Sequence, residues 1–148
     1  MQTEWQKGEY TISTDAARLD VALIHDFLSN RSYWANGRTR AALEHSIANS
    51  LAFGVYRAAR QVGFARVVTD YATFAYLADV FVLEAERGRG LGKWLMETIV
   101  QYPDLQGLRR WLLVTRDAQE LYRQYGFVEL AWPDRWMERF YEPPPAQS

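Results

Sequence analysis

The chain has 148 residues, of which 49% are hydrophobic, and carries a formal net charge of -1 at pH 7. This length fits one domain with a substantial core, and the near-neutral charge argues against binding to nucleic acid or a membrane surface through bulk electrostatics. The absence of cysteine excludes a disulfide framework and a thiol nucleophile. Because the chain has only two histidines, we expect neither a metal site nor a metal cofactor.

The two ends of the sequence suggest where the protein works and how it is organised. The N-terminal stretch MQTEWQKGEYTISTD lacks the apolar core of a signal peptide, and no apolar run approaches the roughly 18 residues of a membrane span. We therefore expect a cytoplasmic protein. A single domain is expected over residues 1–141, followed by a disordered tail over 142–148, whose three prolines cannot continue a helix or a central strand.

The first half of the chain predicts a strand, two helices and a block of strands. The alternating stretch EYTISTD predicts the strand over residues 9–15. Apolar residues at helical spacing predict helices over 20–30 and 39–50, the second with Thr39 at its N-terminal cap. Turn-like joints in the apolar sequence that follows predict an antiparallel meander over residues 51–57, 60–70 and 73–83.

The second half predicts alternating helices and strands, and hence an α/β protein with a mixed sheet. An amphipathic helix is expected over residues 92–102 and a buried strand over 109–115. A short helix should follow and end at Gly126. Two closing strands are expected, over residues 127–130 and 135–140.

The junction between the meander and the amphipathic helix is VFVLEAERGRGLGKWLMETIV, residues 80–100. Bare glycine backbone at a helix N-terminus lets a ligand contact main-chain N–H groups, and the helix dipole favours an anion such as pyrophosphate. A tight basic turn without a ligand is an equally simple interpretation of the glycines alone. A Walker loop is excluded because Trp94 follows Lys93, and a dinucleotide fingerprint is excluded because Lys93 stands where its third glycine is needed.

Two signatures together resemble the GNAT family of N-acetyltransferases. RGRGLG fits Arg/Gln-x-x-Gly-x-Gly/Ala, which is similar to the acetyl-CoA-binding motif of that family, and DAQELYRQYGFVEL is similar to its second signature about 30 residues later. The resemblance extends from about Leu51 to Leu130. It implies the GNAT fold, with a mixed, mostly antiparallel sheet of about six to seven strands and about four helices, splayed at the acetyl-CoA site.

The resemblance also implies which residues bind acetyl-CoA. Backbone groups of the glycine turn would hold its pyrophosphate, and the end of the preceding strand would pair with the pantetheine arm. The implied residues are Val80, Phe81, Val82, Arg87, Gly88, Arg89, Gly90, Leu91, Gly92 and Lys93. Tyr122 matches the family tyrosine that protonates the leaving thiolate, although a core tyrosine on an amphipathic helix is the alternative. Many relatives carry an Asn after the next strand, where this chain has Thr115-Arg116-Asp117. Either Thr115 or Asp117 could replace it, and Arg116 could instead reach a CoA phosphate or an acidic acceptor.

The acceptor side is indicated by an acidic residue and two aromatic residues. Asp79 interrupts the apolar stretch YLADVFV, and a buried aspartate needs a partner, so we interpret it as a base or an amine-binding group. Its alternative is an aspartate neutralised by an arginine for structural reasons. Tyr33 and Trp34 lie between the first two predicted helices, where they either bind a cationic acceptor or pack the helices onto the sheet.

The function implied by the resemblance is transfer of an acetyl group from acetyl-CoA to a primary amine of a small molecule or peptide. The transfer would occur by direct attack, because the chain has neither a cysteine nor a Gly-x-Ser-x-Gly nucleophile. A catalytically silent acyl-CoA-binding or sensor domain and an enzyme with another acyl donor are the alternatives. Exposed strand edges make a homodimer plausible.

Overall fold

A six-stranded mixed sheet, with its strands in chain order, forms the centre of the fold. The computed structural model describes residues 3–141, so the predicted tail over 142–148 lies outside the described residues. The strands are β1 Glu4–Lys7, β2 Tyr10–Ser13, β3 Leu51–Arg57, β4 Arg60–Thr69, β5 Phe74–Val82 and β6 Arg110–Leu112. The helices are α1 Val21–Arg31, α2 Arg40–Ala48, α3 Leu91–Val100 and α4 Gln119–Arg123. This architecture confirms the predicted fold class.

The sheet begins with a hairpin that the sequence predicted only in part. β1 pairs antiparallel with β2, and Gly8 turns the chain between them with a φ of 62°. Only β2 was predicted, within residues 9–15. The polar sequence Glu4-Trp5-Gln6-Lys7 has a single apolar residue, so β1 shows no alternation, and it forms because β2 offers it a free edge.

The predicted meander is confirmed, and its last strand begins the opening of the sheet. β3, β4 and β5 pair antiparallel in succession. β6 then pairs with β5 in parallel, but only over three residue pairs, from Phe74↔Arg110 to Tyr76↔Leu112. Beyond Tyr76, no described strand pairs with that side of β5.

Helices cover both faces of the sheet. Phe27 of α1 stacks on Phe81 with ring centroids 4.0 Å apart, and Phe81 neighbours Phe64 across the β4–β5 ladder. Tyr102, directly after α3, packs instead against Phe53, whose partner in β4 is the residue next to Phe64. Because successive strand residues point to opposite faces, α1 and the end of α3 lie on opposite sides of the sheet.

Side-chain caps begin the first two helices. The Thr39 hydroxyl accepts a hydrogen bond from the Ala42 N–H at 3.1 Å, so the predicted cap is confirmed. Asp20 caps α1 in the same way by accepting from the Leu23 N–H at 3.0 Å. The Thr39 cap fixes the C-terminal end of the α1–α2 loop that carries Tyr33 and Trp34. Within residues 3–141, no helix combines the length and the apolar content needed to cross a bilayer.

The two predicted closing strands are wrong. Residues 127–130 and 136–140 form no strand, and residues 133–135 form a 3-10 turn that begins at Pro133. Residues 127–130 and β6 line cavities of about 320 and 350 Å³ together and form no ladder with each other. β6 is therefore an edge strand, and it is also shorter than the predicted 109–115.

A left-handed glycine ends α4, as predicted. Gly126 has a φ of 90°, and its N–H donates to the Arg123 carbonyl while the Phe127 N–H donates to the Tyr122 carbonyl. This pair of bonds is the Schellman motif, which a residue with a side chain adopts at a cost. The motif fixes the C-terminal side of the turn that carries Tyr122.

We expect Gly126→Ala to lower the free energy of unfolding by about 1–2 kcal/mol, the cost of placing a Cβ in the left-handed region. A Cβ at this position would meet no atom within 4 Å, so backbone strain is the only cause. Urea denaturation measures the change. Gly92→Ala is the control, because Gly92 lies in α3 with no positive φ and should not lose stability. Equal stability of both variants would contradict the assignment of the motif.

Candidate active site

The site is built along the free edge of β5. Asp79 has a φ of 57°, and the β4–β5 register shifts beside it, so β5 carries a bulge at this point. β5 leaves β6 after Tyr76, and its residues Val80 and Val82 each line a cavity. The splayed sheet predicted for the acetyl-CoA site is therefore the gap between β5 and the β6–α4 segment.

The glycine turn presents a row of unpaired backbone donors. None of the N–H groups from Gly88 to Lys93 donates a hydrogen bond to a residue of the described chain. Gly90 caps α3 in the left-handed conformation, with a φ of 77°, and has no side chain that could accept from these donors. Apart from Arg89, these residues line a cavity of about 410 Å³ together with Val82 and Leu121. Such a row of donors at a helix N-terminus fits a pyrophosphate.

A buried carboxylate behind the turn holds it in place. Glu86 is 6% exposed and accepts hydrogen bonds from the Tyr10 hydroxyl at 2.6 Å and from Arg57 at 3.3 Å. Arg89 lies 3.7 Å from the same carboxylate and also donates to the Tyr10 hydroxyl at 2.9 Å. The hydrogen bond from Tyr10, followed by that from Arg57, lowers the pKa of Glu86, so the carboxylate stays charged. This network joins the turn to β2 and β3.

The basic side chains of the turn extend toward different parts of the protein. The Arg89 guanidinium is bound to Tyr10 and Glu86, so at this position the turn offers the backbone to a ligand. Arg87 donates to the carbonyl of Val82 at 3.3 Å and thus lies across the end of β5. Lys93 is exposed, and its carbonyl accepts from the Tyr125 hydroxyl at 2.8 Å. The last contact ties the start of α3 to the end of α4.

A second cavity, of about 460 Å³, continues from the first along β5. The two are neighbours because Val80 and Tyr122 line this cavity while Val82 and Leu121 line the other. We call it the acceptor cavity. Its walls come from the α1–α2 loop, from β5 and from the segment after β6, and they include Tyr33, Trp34, Asp79, Asp117 and Tyr122. The cavity therefore brings together the predicted catalytic and acceptor residues.

Tyr122 lines the acceptor cavity, and the residue before it, Leu121, lines the cavity of the glycine turn. Its side chain is 9% exposed, and its hydroxyl makes no hydrogen bond with any residue of the described chain. Burial, with smaller effects from Tyr33 and Asp117, raises the pKa of Tyr122 to about 12. The phenol is thus protonated near neutral pH and has a proton to donate into the cavity.

Asp79 is the centre of a charged cluster at the floor of the acceptor cavity. The carboxylate is 2% exposed, and one of its oxygens accepts from Arg38 at 2.6 Å and from Arg66 Nε at 2.9 Å. The other oxygen accepts from the Trp34 indole N–H at 3.1 Å. Both oxygens are therefore occupied, and the alternative of an aspartate neutralised by arginine describes this geometry.

The α1–α2 loop and the loop after β6 are joined through Tyr33. The Tyr33 hydroxyl accepts from the Arg116 N–H at 2.8 Å, and the Arg116 guanidinium lies over the Tyr33 ring at 3.9 Å. The Thr115 hydroxyl accepts from the Ala118 N–H, so it closes the turn that precedes α4. Asp117 is exposed and remains available at the cavity, where the sequence left open which of the two replaces the family Asn.

Comparison with known proteins identifies the family. The acetyltransferase (GNAT) domain family matches residues 48–129, more than half of the chain. The chain is also 35% identical to a candidate acetyltransferase of Gibberella zeae, over 80% of this chain and 78% of the relative. The chain belongs to the GNAT acetyltransferase family. The resemblance drawn from the two sequence signatures is thereby confirmed.

Solved structures share this GNAT fold. A GNAT-family protein of Xanthomonas campestris pv. campestris, described as a candidate acetyltransferase, is 50% identical with a TM-score of 0.88, over 89% of this chain and 93% of that one. N-acetylglutamate synthase of Neisseria gonorrhoeae, solved with coenzyme A and N-acetyl-glutamate, has a TM-score of 0.67 at 18% identity. The match covers 82% of this chain and 28% of the synthase, and it shows a common fold.

Arg66 and Glu86 belong to this GNAT site but were not predicted. Arg66 lies in β4 and Glu86 just before the glycine turn, and each is a largely buried member of an ion pair, with 13% and 8% of its side chain exposed. A charged residue inside a strongly apolar strand was the available signal for Arg66, as it was for Asp79. Glu86 had no such signal, because the turn around it is rich in charged residues.

We expect Glu86→Gln to raise the dissociation constant for acetyl-CoA roughly three- to tenfold, because the neutral side chain weakens the contacts that hold the turn. Calorimetric titration measures the constant. Glu9→Gln is the matched control, since Glu9 contacts the same two arginines but is exposed. The affinity of this variant for acetyl-CoA should be unchanged. Equal effects of the two substitutions would show that the loss of a negative charge, rather than the loss of the Glu86 contacts, weakens acetyl-CoA binding.

Proposed function

We propose that the protein transfers an acetyl group from acetyl-CoA to a primary amine of a small molecule or peptide. The observation that supports it best is the position of Tyr122, a protonated phenol without a partner in the described chain. Tyr122 lines the acceptor cavity, and its neighbour Leu121 lines the cavity of the glycine turn, which we call the donor cradle. A domain that only binds acyl-CoA would need the cradle, but it would have no use for an acid at this point.

The donor side fits the chemistry of coenzyme A. The unpaired N–H groups of Gly88 to Lys93 suit a pyrophosphate, and the unpaired edge of β5 suits the amides of a pantetheine arm. The synthase of Neisseria gonorrhoeae, which has the same fold, was solved with coenzyme A. An acetyl-CoA molecule with its pyrophosphate at the glycine turn and its pantetheine arm along β5 would bring its thioester to Tyr122.

The proposed reaction is a direct displacement. The neutral amine nitrogen attacks the thioester carbonyl carbon, and the carbonyl oxygen carries the negative charge of the tetrahedral intermediate. The carbon–sulfur bond then breaks with its electron pair on sulfur, and Tyr122 donates its proton to that thiolate. The proton lost by the amine returns to the tyrosinate through water, so protons and charge balance.

Asp79 fits a positioning role in this scheme. Its oxygens accept from Arg38, Arg66 and the Trp34 indole, and acting as a base would require it to give up one of these bonds. We therefore propose that Asp79 fixes these three side chains at the acceptor cavity and that the amine loses its proton to water. Tyr33 and Trp34, about 40% exposed in the same cavity, would contact the acceptor.

The experiment that tests this function is release of free CoA from acetyl-CoA in the presence of amino acids, polyamines, aminoglycosides and short peptides, with calorimetry of acetyl-CoA binding in parallel. Binding together with amine-dependent release supports an N-acetyltransferase. Binding without release from any amine supports the silent acyl-CoA-binding alternative. Absence of binding removes the assignment of the cradle.

For the acid, we expect Tyr122→Phe to lower kcat roughly 10- to 100-fold while the acetyl-CoA affinity changes little, because only the donated proton is lost. Since the pKa of Tyr122 is raised to about 12, the acid stays protonated as pH rises from 7 to about 10, and activity should not fall over this range through its ionisation. Steady-state kinetics against pH measure both effects. Tyr125→Phe is the control, since the hydroxyl of Tyr125 is bound to the Lys93 carbonyl. Unchanged turnover in Tyr122→Phe would place the acid elsewhere.

For the cradle, we expect Gly92→Leu to raise the dissociation constant for acetyl-CoA at least about tenfold, because a large side chain would enter the space beside the free N–H groups. A Cβ at Gly92 meets nothing within 4 Å, so the folded state has room for the first carbon of the side chain. Gly92→Ala is the matched control and should bind nearly as well as the native chain. Calorimetry measures affinity and thermal unfolding checks the fold. Tight binding by the Leu variant would contradict the proposed cradle.

A further inference from the structure

We propose that the amine acceptor also carries a carboxylate and that Arg38 binds it in the acceptor cavity. This inference rests on the proposed function, because it names the class of amine that the same site accepts. The observation behind it is an imbalance of charge around Asp79. Two guanidinium groups, from Arg38 and Arg66, share one carboxylate, and two positive charges with one negative leave a net charge of +1 at the floor of the cavity.

The excess charge lies where water can compensate it only in part. The Arg66 side chain is 13% exposed and the Arg38 side chain 24% exposed. An unbalanced charge in such a place costs free energy, and a ligand anion would remove that cost. Asp117 and Glu138 also line the cavity, but both are exposed to solvent, which screens their charge.

Arg38 is the member of the cluster with donors to spare. It gives one N–H to Asp79, and its remaining N–H groups have no acceptor among the described residues. Arg66, by contrast, donates to both Asp79 and Ser50. The planar fork of a guanidinium matches the two oxygens of a carboxylate, so Arg38 can hold an acceptor carboxylate at two points.

The position of Arg38 is set before any ligand arrives. Its backbone carbonyl accepts from the Ser29 hydroxyl at 2.5 Å and lies 2.9 Å from His25 Nε2, both on α1. Its side chain is held by Asp79, whose other oxygen holds the Trp34 indole. A binding group fixed at both ends loses little entropy when the ligand binds.

The same charge also favours the reaction. A positive cluster beside the acceptor disfavours the protonated form of a nearby amine, and only the neutral amine can attack a thioester. A primary amine that carries a carboxylate, such as an amino acid, therefore satisfies both features of the cavity. Its carboxylate neutralises Arg38, and its nitrogen is kept available for attack. Its remaining side chain would lie among the aromatic residues Tyr33, Trp34, Tyr76 and Phe140, which also line the cavity.

The test compares amines that differ only in their anionic group. α- and ω-Amino acids are each paired with the corresponding carboxamide, and each compound is titrated calorimetrically into the protein saturated with CoA. Without an acyl donor, the measurement does not depend on transfer. We expect at least one acid to bind at least about tenfold more tightly than its amide, the difference made by a charge-assisted bidentate contact.

Arg38→Gln should reduce this preference for the acid to less than about twofold while the affinity for the amide stays the same. A purely structural role of Arg38 would weaken both compounds equally. Arg40→Gln is the control, because Arg40 is exposed and pairs with Glu44 on α2, and it should keep the preference. If thermal unfolding shows that Arg38→Gln does not fold, Arg38→Lys replaces it, and the preference should fall without vanishing.

Equal binding of acids and amides, absence of binding by every acid, or a preference that survives the loss of Arg38 would each overturn the inference. The CoA-release assay separates this outcome from failure of the proposed function. Release that occurs without acid preference keeps the acetyltransferase and removes the carboxylate site. Acid-selective binding without release keeps the carboxylate site and removes the transfer step.

Discussion

The site depends on one feature of the sheet, the early end of the β5–β6 ladder. Three residue pairs join these parallel strands, and from Leu77 onward that side of β5 has no strand partner in the described chain. Backbone groups at a sheet edge bind another extended chain whenever one of suitable geometry is present. In this GNAT protein the free edge runs from the acceptor cavity to the glycine turn. An opening in the sheet thus supplies the groove, and no separate domain is needed to build it.

The bulge at Asp79 lies beside that opening and is held by other segments of the fold. A non-glycine residue at a positive φ costs roughly 1–2 kcal/mol, and it persists only where its surroundings compensate for it. Here the compensation comes from two other segments. Trp34 and Arg38 lie in the α1–α2 loop and Arg66 lies in β4, and all three donate to the Asp79 carboxylate. The strained residue therefore connects β5 to the loop that forms one wall of the acceptor cavity.

Much of the fold could be predicted from the sequence, but only where local sequence patterns determine the structure. The meander, the four helices and the stop at Gly126 were predicted because apolar spacing, caps and glycine are local signals. β1 was missed because it forms on an edge provided by β2, and the closing strands were wrong because residues 127–130 have the composition of a strand but form no ladder with β6. The resemblance of the two signatures to the GNAT family predicted that Tyr122 and the glycine turn belong to the same cleft. The partners of Asp79 and Glu86 come from distant segments, and no local pattern records them.

Buried carboxylates at the two ends of the groove make one of its walls more rigid than the other. Glu86 fixes the donor end to β2 and β3, and Asp79 fixes the acceptor end to β4 and the α1–α2 loop. The opposite wall, which carries Tyr122, has only a three-residue strand and a five-residue helix, and Val114 beside it is 82% exposed. Few buried contacts make such a wall the less stable part of the fold. One of its contacts with the rest of the fold is Tyr33, which accepts from the Arg116 N–H and lies under the Arg116 guanidinium. The loop that lines the acceptor cavity therefore also holds the wall that carries Tyr122, so the proposed acceptor binding and the proposed proton donation involve the same few residues.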